Sequence, residues 1–265
     1  MSGRLRTIII EERRVVNHDL SVATPGIAFA DLHNVVDFTP RRFRGRSAGE
    51  LFAAARRRFA LAASKLADRF FDARYGTETS AVVENAHMRD VTSDHLARGI
   101  RYEPTRAIPF RRVLRAARIP SDGVFLDMGC GKGRVCMLAA EHGFTQIIGI
   151  DYSPSLCELA RANMEVFRRR SGKQFEADMR VLDATRYVFA GDERVVYLFN
   201  PFDGVVLARV MENMLASLAQ QPRELWLVYH NPVWRDVIDQ SGAFDVVGEW
   251  IVGGARFAVY RSGNG

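Results

Sequence analysis

Residues 124–133 of the chain read VFLDMGCGKG, and this stretch decides the fold. Four apolar residues around Asp127 predict a short buried strand, and three glycines at alternate positions predict a tight turn directly after it. A helical pattern follows from about Gly133 to His142. The stretch therefore predicts a strand, a glycine turn and a helix, the unit that opens nucleotide-type ligand sites in α/β sheets.

Beyond this unit, apolar strands and helical patterns alternate along the chain. Strands are predicted at 124–128, 147–150, 180–182, 195–199 and 225–229, and helices at 133–142, 155–170, 205–218 and 233–240. Two further β-rich runs, 244–250 and 255–260, flank Gly253-Gly254 and predict a hairpin. The fold class is therefore α/β: a doubly wound, Rossmann-like, mostly parallel seven-stranded sheet with an antiparallel C-terminal hairpin.

The first 104 residues follow a different pattern. A helix capped by Ser47 is predicted for residues 48–74, with an apolar stripe that includes Phe59, Leu66 and Phe70. A second helix is predicted for 109–117. We assign residues 1–104 to a helical N-terminal extension and residues 105–265 to the ligand-binding domain. The polar segment from residue 75 to 105 is expected to fold over the site as a lid or substrate segment.

Composition narrows the class of protein. The 265 residues are 48% hydrophobic and 26% charged, which is typical of a globular protein. Apolar runs such as residues 8–10 are too short to span a membrane, and no secretory signal is recognisable, so we expect a cytoplasmic protein. The three cysteines form no C-x-x-C pair and the histidines show no ligand spacing, so neither a disulfide framework nor a metal site is predicted.

Basic residues are concentrated near the N-terminus. The net charge is +6, and seven arginines fall between Arg41 and Arg58, opposed there only by Glu50. The simpler interpretation is a solvated face of an arginine-rich helix. The alternative is a contact with nucleic acid or another anionic partner.

The glycine turn is compatible with several ligands, and its neighbours separate them. A nucleoside-triphosphate P-loop needs G-x-x-x-x-G-K-[ST], and this motif is excluded because Gly133 follows Lys132. A dinucleotide-binding turn needs a third glycine at the position of Arg134, so that motif is not matched either. The Asp127 carboxylate would repel a pyrophosphate, whereas it suits a ligand with an ammonium group. S-adenosylmethionine carries an ammonium and a sulfonium, so it is the predicted cofactor.

Two more aspartates follow the next two predicted strands. Asp151 follows the second strand, where it can accept hydrogen bonds from both ribose hydroxyls. Asp183 follows the third, where it can accept a hydrogen bond from the adenine amino group. Tyr152 is placed to lie against the adenine face.

These segments resemble the motifs of class I S-adenosylmethionine-dependent methyltransferases. Residues 125–133 are similar to the first motif of that family, D-x-G-x-G-x-G, and residues 149–151 and 182–184 are similar to the next two. The resemblance covers roughly residues 100–260 and implies that 105–265 form a methyltransferase domain. It implies that Asp127, Gly129 and Gly131 hold the methionine portion of the cofactor. By the same resemblance, Asp151 holds the ribose, and Asp183 and Ala184 hold the adenine.

The end of the fourth predicted strand carries the candidate catalytic residues. Asn200-Pro201-Phe202 resembles a shortened N-P-P-[FY] motif of amino-methyltransferases, without the second proline. An Asn carbonyl can orient an acceptor amine, so we expect Asn200 to aim the acceptor, with Phe202 and Tyr102 lining its pocket. The alternative is that Asn-Pro only ends a strand. His230 is either a general base or a hydrogen-bonded structural residue.

Two further resemblances lie upstream of the glycine turn. Residues 102–105, YEPT, are similar to the loop that covers the cofactor in Dot1-type lysine methyltransferases. Asp72, Tyr75, Gly76 and Thr79, together with G-C-G-K-G-R and F-N-P-F, are similar to a broad group of bacterial methyltransferases.

These resemblances imply methyl transfer to an N or O acceptor on a small metabolite or on a peptide or protein. The alternative is a nucleic-acid-binding or RNA/DNA-modifying protein that uses the segment Arg41–Arg58.

Overall fold

The computed structural model describes residues 69–82 and 102–263 continuously, together with 7–11, 14–18 and isolated helical positions from 49 to 67. The seven arginines between residues 41 and 58 lie outside the residues whose side chains are described. Residues 83–101, most of the expected lid, also lie outside them. No helix of the described residues is long and apolar enough to cross a membrane.

The described strands form a single sheet. Its order is β2 (Arg14–His18), β1 (Thr7–Glu11), β8 (Phe244–Val252), β9 (Ala255–Ser262), β7 (Trp226–His230), β6 (Glu193–Phe199), β3 (Val124–Met128), β4 (Gln146–Asp151) and β5 (Glu176–Val181). The central strands β3, β4, β5, β6 and β7 pair in parallel. The hairpin of β8 and β9 joins β7 in antiparallel pairing. This confirms the predicted doubly wound, seven-stranded core with its C-terminal hairpin.

Two N-terminal strands extend this core beyond the predicted seven. β1 (Thr7–Glu11) pairs with β2 (Arg14–His18) in antiparallel fashion and with β8 in parallel, from Thr7 to Ile9. The apolar run at residues 8–10 supplies β-branched residues, which favour a strand. Because β1 covers the outer edge of β8, the hairpin does not leave that edge unpaired.

Between residues 102 and 263, five helices cover the two faces of the sheet. They are α1 (Ala107–Ala116), α2 (Arg134–His142), α3 (Pro154–Ser171), α4 (Gly204–Gln220) and α5 (Arg235–Asp239). One buried apolar cluster joins residues 71 and 75, α1, α2 and α3 to alternate strand residues such as Phe125 and Val195; the other joins α4 and α5 to Leu126 and Val196. Because successive strand residues point to opposite faces, the two clusters lie on opposite sides of the sheet.

The predicted apolar stripe of the N-terminal helix is wrong. Phe59, Leu66 and Phe70 are 77%, 54% and 64% exposed, whereas Phe71 and Tyr75 are buried against Phe167 of α3. The helical residues end at 75, one position beyond the predicted end, before Gly76 with its φ of +66°. Apolar residues lie on more than one side of this helix, so their spacing alone does not predict which face packs against α3.

The third core strand begins earlier than predicted. Its apolar residues suggested 180–182, but β5 runs from Glu176 to Val181. Only Met179 is fully buried within it, because β5 lies at the edge of the sheet. An edge strand with exposed side chains does not produce the apolar run by which buried strands are recognised.

Candidate functional site

A cavity lies at the carboxyl ends of β3, β4 and β6, where the strand order reverses. It encloses about 980 Å³ of empty space, including its open mouth. Its lining brings together eight of the ten predicted site residues: Tyr102, Asp127, Gly129, Asp151, Tyr152, Ala184, Asn200 and Phe202. Gly131 and Asp183 do not belong to the lining.

The glycine loop is shaped by two close approaches. Gly129 has a φ of +86°, and a Cβ there would lie 2.6 Å from Cβ of Pro201. Gly131 has a φ of +51°, and a Cβ there would overlap the ring of Tyr102. Only glycine fits both the backbone conformation and the space at these two positions. The aromatic ring of Tyr102 therefore lies directly on the loop.

The last residue of β4, Asp151, ties the loop to the start of α3. Its Oδ2 accepts a hydrogen bond from the backbone N–H of Gly131 at 3.0 Å, and its Oδ1 accepts one from that of Ser153 at 3.0 Å. Ser153 in turn caps α3, and Pro154 occupies the first helical position. Asp151 thus lines the cavity and also holds two backbone segments beside it.

Asp127 is a carboxyl group buried in the cavity wall. The Cys136 thiol lies 3.6 Å from its Oδ2 and is a weak donor. Burial raises the pKa of Asp127 to about 8, the thiol hydrogen bond opposes that rise, and the charge of Asp151 adds to it. A cationic group in the cavity would favour the ionised carboxylate.

Asp183 has a different position from the one its sequence context suggested. It stands two residues after the end of β5, and its Oδ1 accepts hydrogen bonds from the backbone N–H and the hydroxyl of Thr185, at 2.8 and 2.7 Å. It therefore caps the short 3-10 turn Ala184–Arg186. Leu182 and Ala184, on either side of it, line the cavity.

Asn200 lies in a left-handed conformation at the end of β6, with a φ of +40°. Its Oδ1 accepts a hydrogen bond from the Tyr229 hydroxyl at 3.1 Å. The end of the neighbouring strand β7 repeats the arrangement, since Asn231 has a φ of +51° and precedes Pro232. Two Asn-Pro turns on adjacent strands thus line the same cavity. The amide of Asn200 is oriented by Tyr229, a contact that the sequence did not indicate.

His230 has the surroundings of a structural residue. Its ring is stacked between Phe199 and Phe257, with centroid distances of 3.8 and 4.3 Å. Its Nδ1 lies 3.1 Å from the Tyr197 hydroxyl, and burial, together with the charge of Arg106, lowers its pKa to about 3. It does not line the cavity. These observations argue against the general-base interpretation of His230.

A buried ion pair beside the loop was not predicted. Arg134, in the first turn of α2, is 1% exposed and donates to the Asp72 carboxylate at 3.2 Å. Asp72 also accepts hydrogen bonds from Thr77, Thr79 and Ser80. Burial alone would raise the pKa of Asp72, but the hydrogen bonds from Ser80 and Thr79 and the charge of Arg134 hold it below its usual value.

Further contacts connect the segment after Asp72 to the glycine loop. Lys132, 2% exposed, pairs with Glu78 at 2.9 Å, and Asn163 of α3 bonds to the backbone of both. The Tyr102 hydroxyl donates to the Thr79 carbonyl at 2.8 Å. The D-x-x-Y-G-x-x-T and G-C-G-K-G-R motifs are therefore one structural unit. The two motifs were recognised together in the sequence. Their spacing, however, did not indicate that Arg134 pairs with Asp72 and Lys132 with Glu78.

The sequence comparison identifies the class of this domain. Residues 125–221 match the family described as a methyltransferase domain. That segment contains the glycine loop, Asp151, Asn200 and the strand order reversal between β3 and β6. This part of the chain is therefore similar to a methyltransferase domain, as its motifs predict.

Individual similar proteins are also methyltransferases. The chain is 41% identical over 54 residues to EEF1A lysine methyltransferase 2 of Mus musculus. This match covers 20% of this chain and 22% of that protein. It is 33% identical over 85 residues to a protein-lysine N-methyltransferase of Saccharolobus islandicus (strain REY15A), covering 29% of this chain and 53% of that protein. The match thus spans about half the length of these relatives or less.

One solved structure with a similar outline is an RNA methyltransferase from Salinibacter ruber in complex with S-adenosyl-L-homocysteine. It aligns with a TM-score of 0.46 and 19% identity, over 61% of this chain and 95% of that chain.

Proposed function

We propose that this protein transfers a methyl group from S-adenosylmethionine, held in the cavity at the ends of β3, β4 and β6, to a nitrogen or oxygen acceptor. The observation that carries this proposal is the buried Asp127 carboxyl beside the glycine turn. Burying a carboxylate without a cationic partner is costly, and a ligand ammonium would supply that partner. When bound, S-adenosylmethionine supplies the electrophilic methyl group of its sulfonium.

We assign the cofactor contacts along the cavity from Asp127 outward. Asp127 binds the ammonium of the methionine portion, and Gly129 and Gly131 give the loop the shape that admits it. Asp151 accepts hydrogen bonds from the ribose hydroxyls. Tyr152 and Ala184 lie against the adenine. Asp183 supports this end of the cavity through the turn that it caps, in addition to the adenine contact suggested by its motif.

The acceptor side of the site lies at the Asn200 turn. We assign Asn200 the role of orienting the acceptor, while Phe202 and Tyr102 exclude water around it. The Tyr229 hydroxyl holds the Asn200 amide, so the orientation is fixed before the acceptor arrives. Because His230 is stacked between two rings and does not line the cavity, we assign it no proton transfer, and an amine acceptor enters as the free base.

The acceptor class that we favour is an amine of a peptide or protein, with a small metabolite as the second possibility. The Asn200 carbonyl is suited to an N–H donor, and the two curated relatives described above are named as lysine methyltransferases. Residues 1–104 would contribute to this side of the site, as Tyr102 does, with residues 105–265 forming the methyltransferase domain.

Two experiments test the proposal. Calorimetric titration should show heat with S-adenosylhomocysteine and none with NAD or ATP; the opposite result would overturn the cofactor assignment. Incubation with methyl-labelled cofactor and a cell extract then identifies the acceptor. Label removed by protease supports a protein acceptor, and label that stays small and survives protease and nuclease supports a metabolite. Label removed by nuclease would show that the favoured acceptor class is wrong.

A further inference from the structure

A second cavity lies at the far ends of α1 and α2, away from the cofactor site. Its lining includes the cationic residues Arg74, Arg111, Arg115 and Lys173, together with His142, Tyr75 and Glu141. We call it the basic groove. It encloses about 870 Å³, including its open side. None of its residues takes part in the cofactor or acceptor contacts proposed above.

Within the described part of the chain, three of the four cationic side chains of the basic groove have no acidic partner. Glu141 accepts hydrogen bonds from the Tyr75 hydroxyl at 2.8 Å and from the Arg111 guanidinium at 2.8 and 2.6 Å, so this carboxylate is already engaged. Among the described residues, Arg74, Arg115 and Lys173 form no ion pair. Three cationic side chains thus line one concave surface with no carboxylate of the described residues paired to them.

Helix ends alone do not account for this concentration of charge. The helical residues 69–75, α1, α2 and α3 all end near the groove, and each helix C-terminus carries about half a negative charge. Together with Glu141, those partial charges offset roughly three of the groove's four cations. The same ends of α1 and α3 add Arg118, Arg168, Arg169 and Arg170, and among the described residues Glu165 pairs with Arg168 and Arg169.

We propose that the basic groove binds phosphate groups, with the phosphodiester backbone of a nucleic acid or a small phosphorylated molecule as the source. The guanidinium groups of Arg74 and Arg115 match a phosphate geometrically, and the Lys173 ammonium adds a point charge. The Tyr75 ring is buried between Phe71, Phe167 and the Arg74 guanidinium, so it offers no face for base stacking. Recognition is therefore of phosphate rather than of base sequence.

The basic groove and the cofactor site are joined by one helix. α2 begins at the glycine loop and ends at His142 in the groove, and its nine residues span about 13 Å. A chain of a few nucleotides covers that distance. This inference nevertheless does not depend on methyl transfer, since a phosphate ligand would bind whether or not the cofactor site is active.

The test compares two variants of the full-length protein that lose the same charge. One carries Arg74→Gln, Arg115→Gln and Lys173→Gln. The control carries Arg180→Gln, Arg209→Gln and Arg261→Gln, which lie on β5, α4 and β9 and are 44%, 61% and 47% exposed. Binding of a labelled single-stranded RNA is measured by fluorescence anisotropy at several salt concentrations, with tripolyphosphate as competitor. Circular dichroism confirms that both variants remain folded.

The groove variant should bind the RNA about tenfold more weakly than the control, and its plot of log affinity against log salt should be shallower by about 2. Calorimetric binding of tripolyphosphate that the groove variant loses and the control keeps, without RNA binding, would identify the source as a small phosphorylated molecule. The proposal is overturned if neither probe binds, or if both variants bind equally. Equal binding would locate phosphate recognition elsewhere, for example at the segment Arg41–Arg58.

Discussion

The Arg134 guanidinium donates to the Asp72 carboxylate at 3.2 Å, across 62 positions of the chain. Arg134 opens α2 directly after the glycine loop, and Asp72 belongs to the helical segment 69–75. The ion pair therefore crosses the boundary that we propose between residues 1–104 and 105–265. It makes the segment 72–80 a structural support of the cofactor loop.

Removing one partner of this ion pair should destabilise the protein. Asp72→Asn removes the counter-charge of a buried guanidinium, which typically costs about 3–5 kcal/mol. We expect the free energy of unfolding in urea to fall by that order and the affinity for S-adenosylhomocysteine to fall with it. Asp245→Asn, at an exposed position of β8, is the control and should change neither quantity. A change below about 0.5 kcal/mol in Asp72→Asn would contradict the importance of the ion pair.

The raised pKa of Asp127 predicts that stability depends on pH. With a folded pKa of about 8 against an ordinary value of 3.8, the native protein keeps a proton that the unfolded chain releases. Stability is therefore lost as the pH rises from about 4 to about 8. Asp127→Asn removes that loss, so the variant should be more stable than wild type by roughly 5 kcal/mol at pH 8, and nearly equal to it at pH 4. Equal pH profiles in thermal unfolding would refute the assignment.

The same carboxyl group should make cofactor binding depend on pH. If the ammonium binds the ionised form of Asp127, a proton must leave that group on binding below about pH 8. The affinity for S-adenosylhomocysteine should then fall on acidification from pH 8 to pH 6, by at most about tenfold per unit. In Asp127→Asn the affinity is weaker and this dependence is absent. Calorimetry in buffers of different ionisation enthalpy measures the released proton directly.

The contact between Gly131 and Tyr102 can be isolated by a matched pair of glycine substitutions. Gly131→Ala places a methyl group on the Tyr102 ring, whereas Gly172→Ala has a similar φ of +67° and nothing within 4 Å. Both introduce backbone strain of about 1 kcal/mol, but only Gly131→Ala should abolish cofactor binding. The double variant Gly131→Ala, Tyr102→Ala should recover part of the binding; no recovery would mean that the ring is not the obstacle.

Asn200 should affect turnover rather than cofactor affinity. Asn200→Ala is expected to lower kcat by about a hundredfold, because the acceptor loses its orienting group. Tyr229→Phe keeps Asn200 but removes the hydroxyl that holds its amide, so a smaller loss is expected. Calorimetry should give unchanged S-adenosylhomocysteine binding in both. An unchanged kcat in Asn200→Ala would show that Asn-Pro only ends the strand.

Much of the cofactor domain could be predicted because its signals are local. A buried parallel strand produces an apolar run in the sequence, and a glycine indicates a turn where the backbone needs a positive φ. Strand β3 begins and ends where predicted, and the Gly253-Gly254 hairpin has positive φ at both residues. β5 was placed late because an edge strand lacks that apolar run.

From residue 124 onward, the alternation of strands and helices, the glycine turn, and the positions of Asp127 and Asp151 at strand ends could be predicted from the sequence, whereas β1 and β2 were not predicted. The direction in which several side chains face depends on the folded protein. The tertiary structure directed the Asp183 carboxylate to Thr185, attached the Asn200 amide to Tyr229, buried Phe71 instead of Phe70, and joined Asp72 to Arg134. Periodicity and turn chemistry act within a few residues of the chain, whereas these contacts depend on packing between elements distant in sequence.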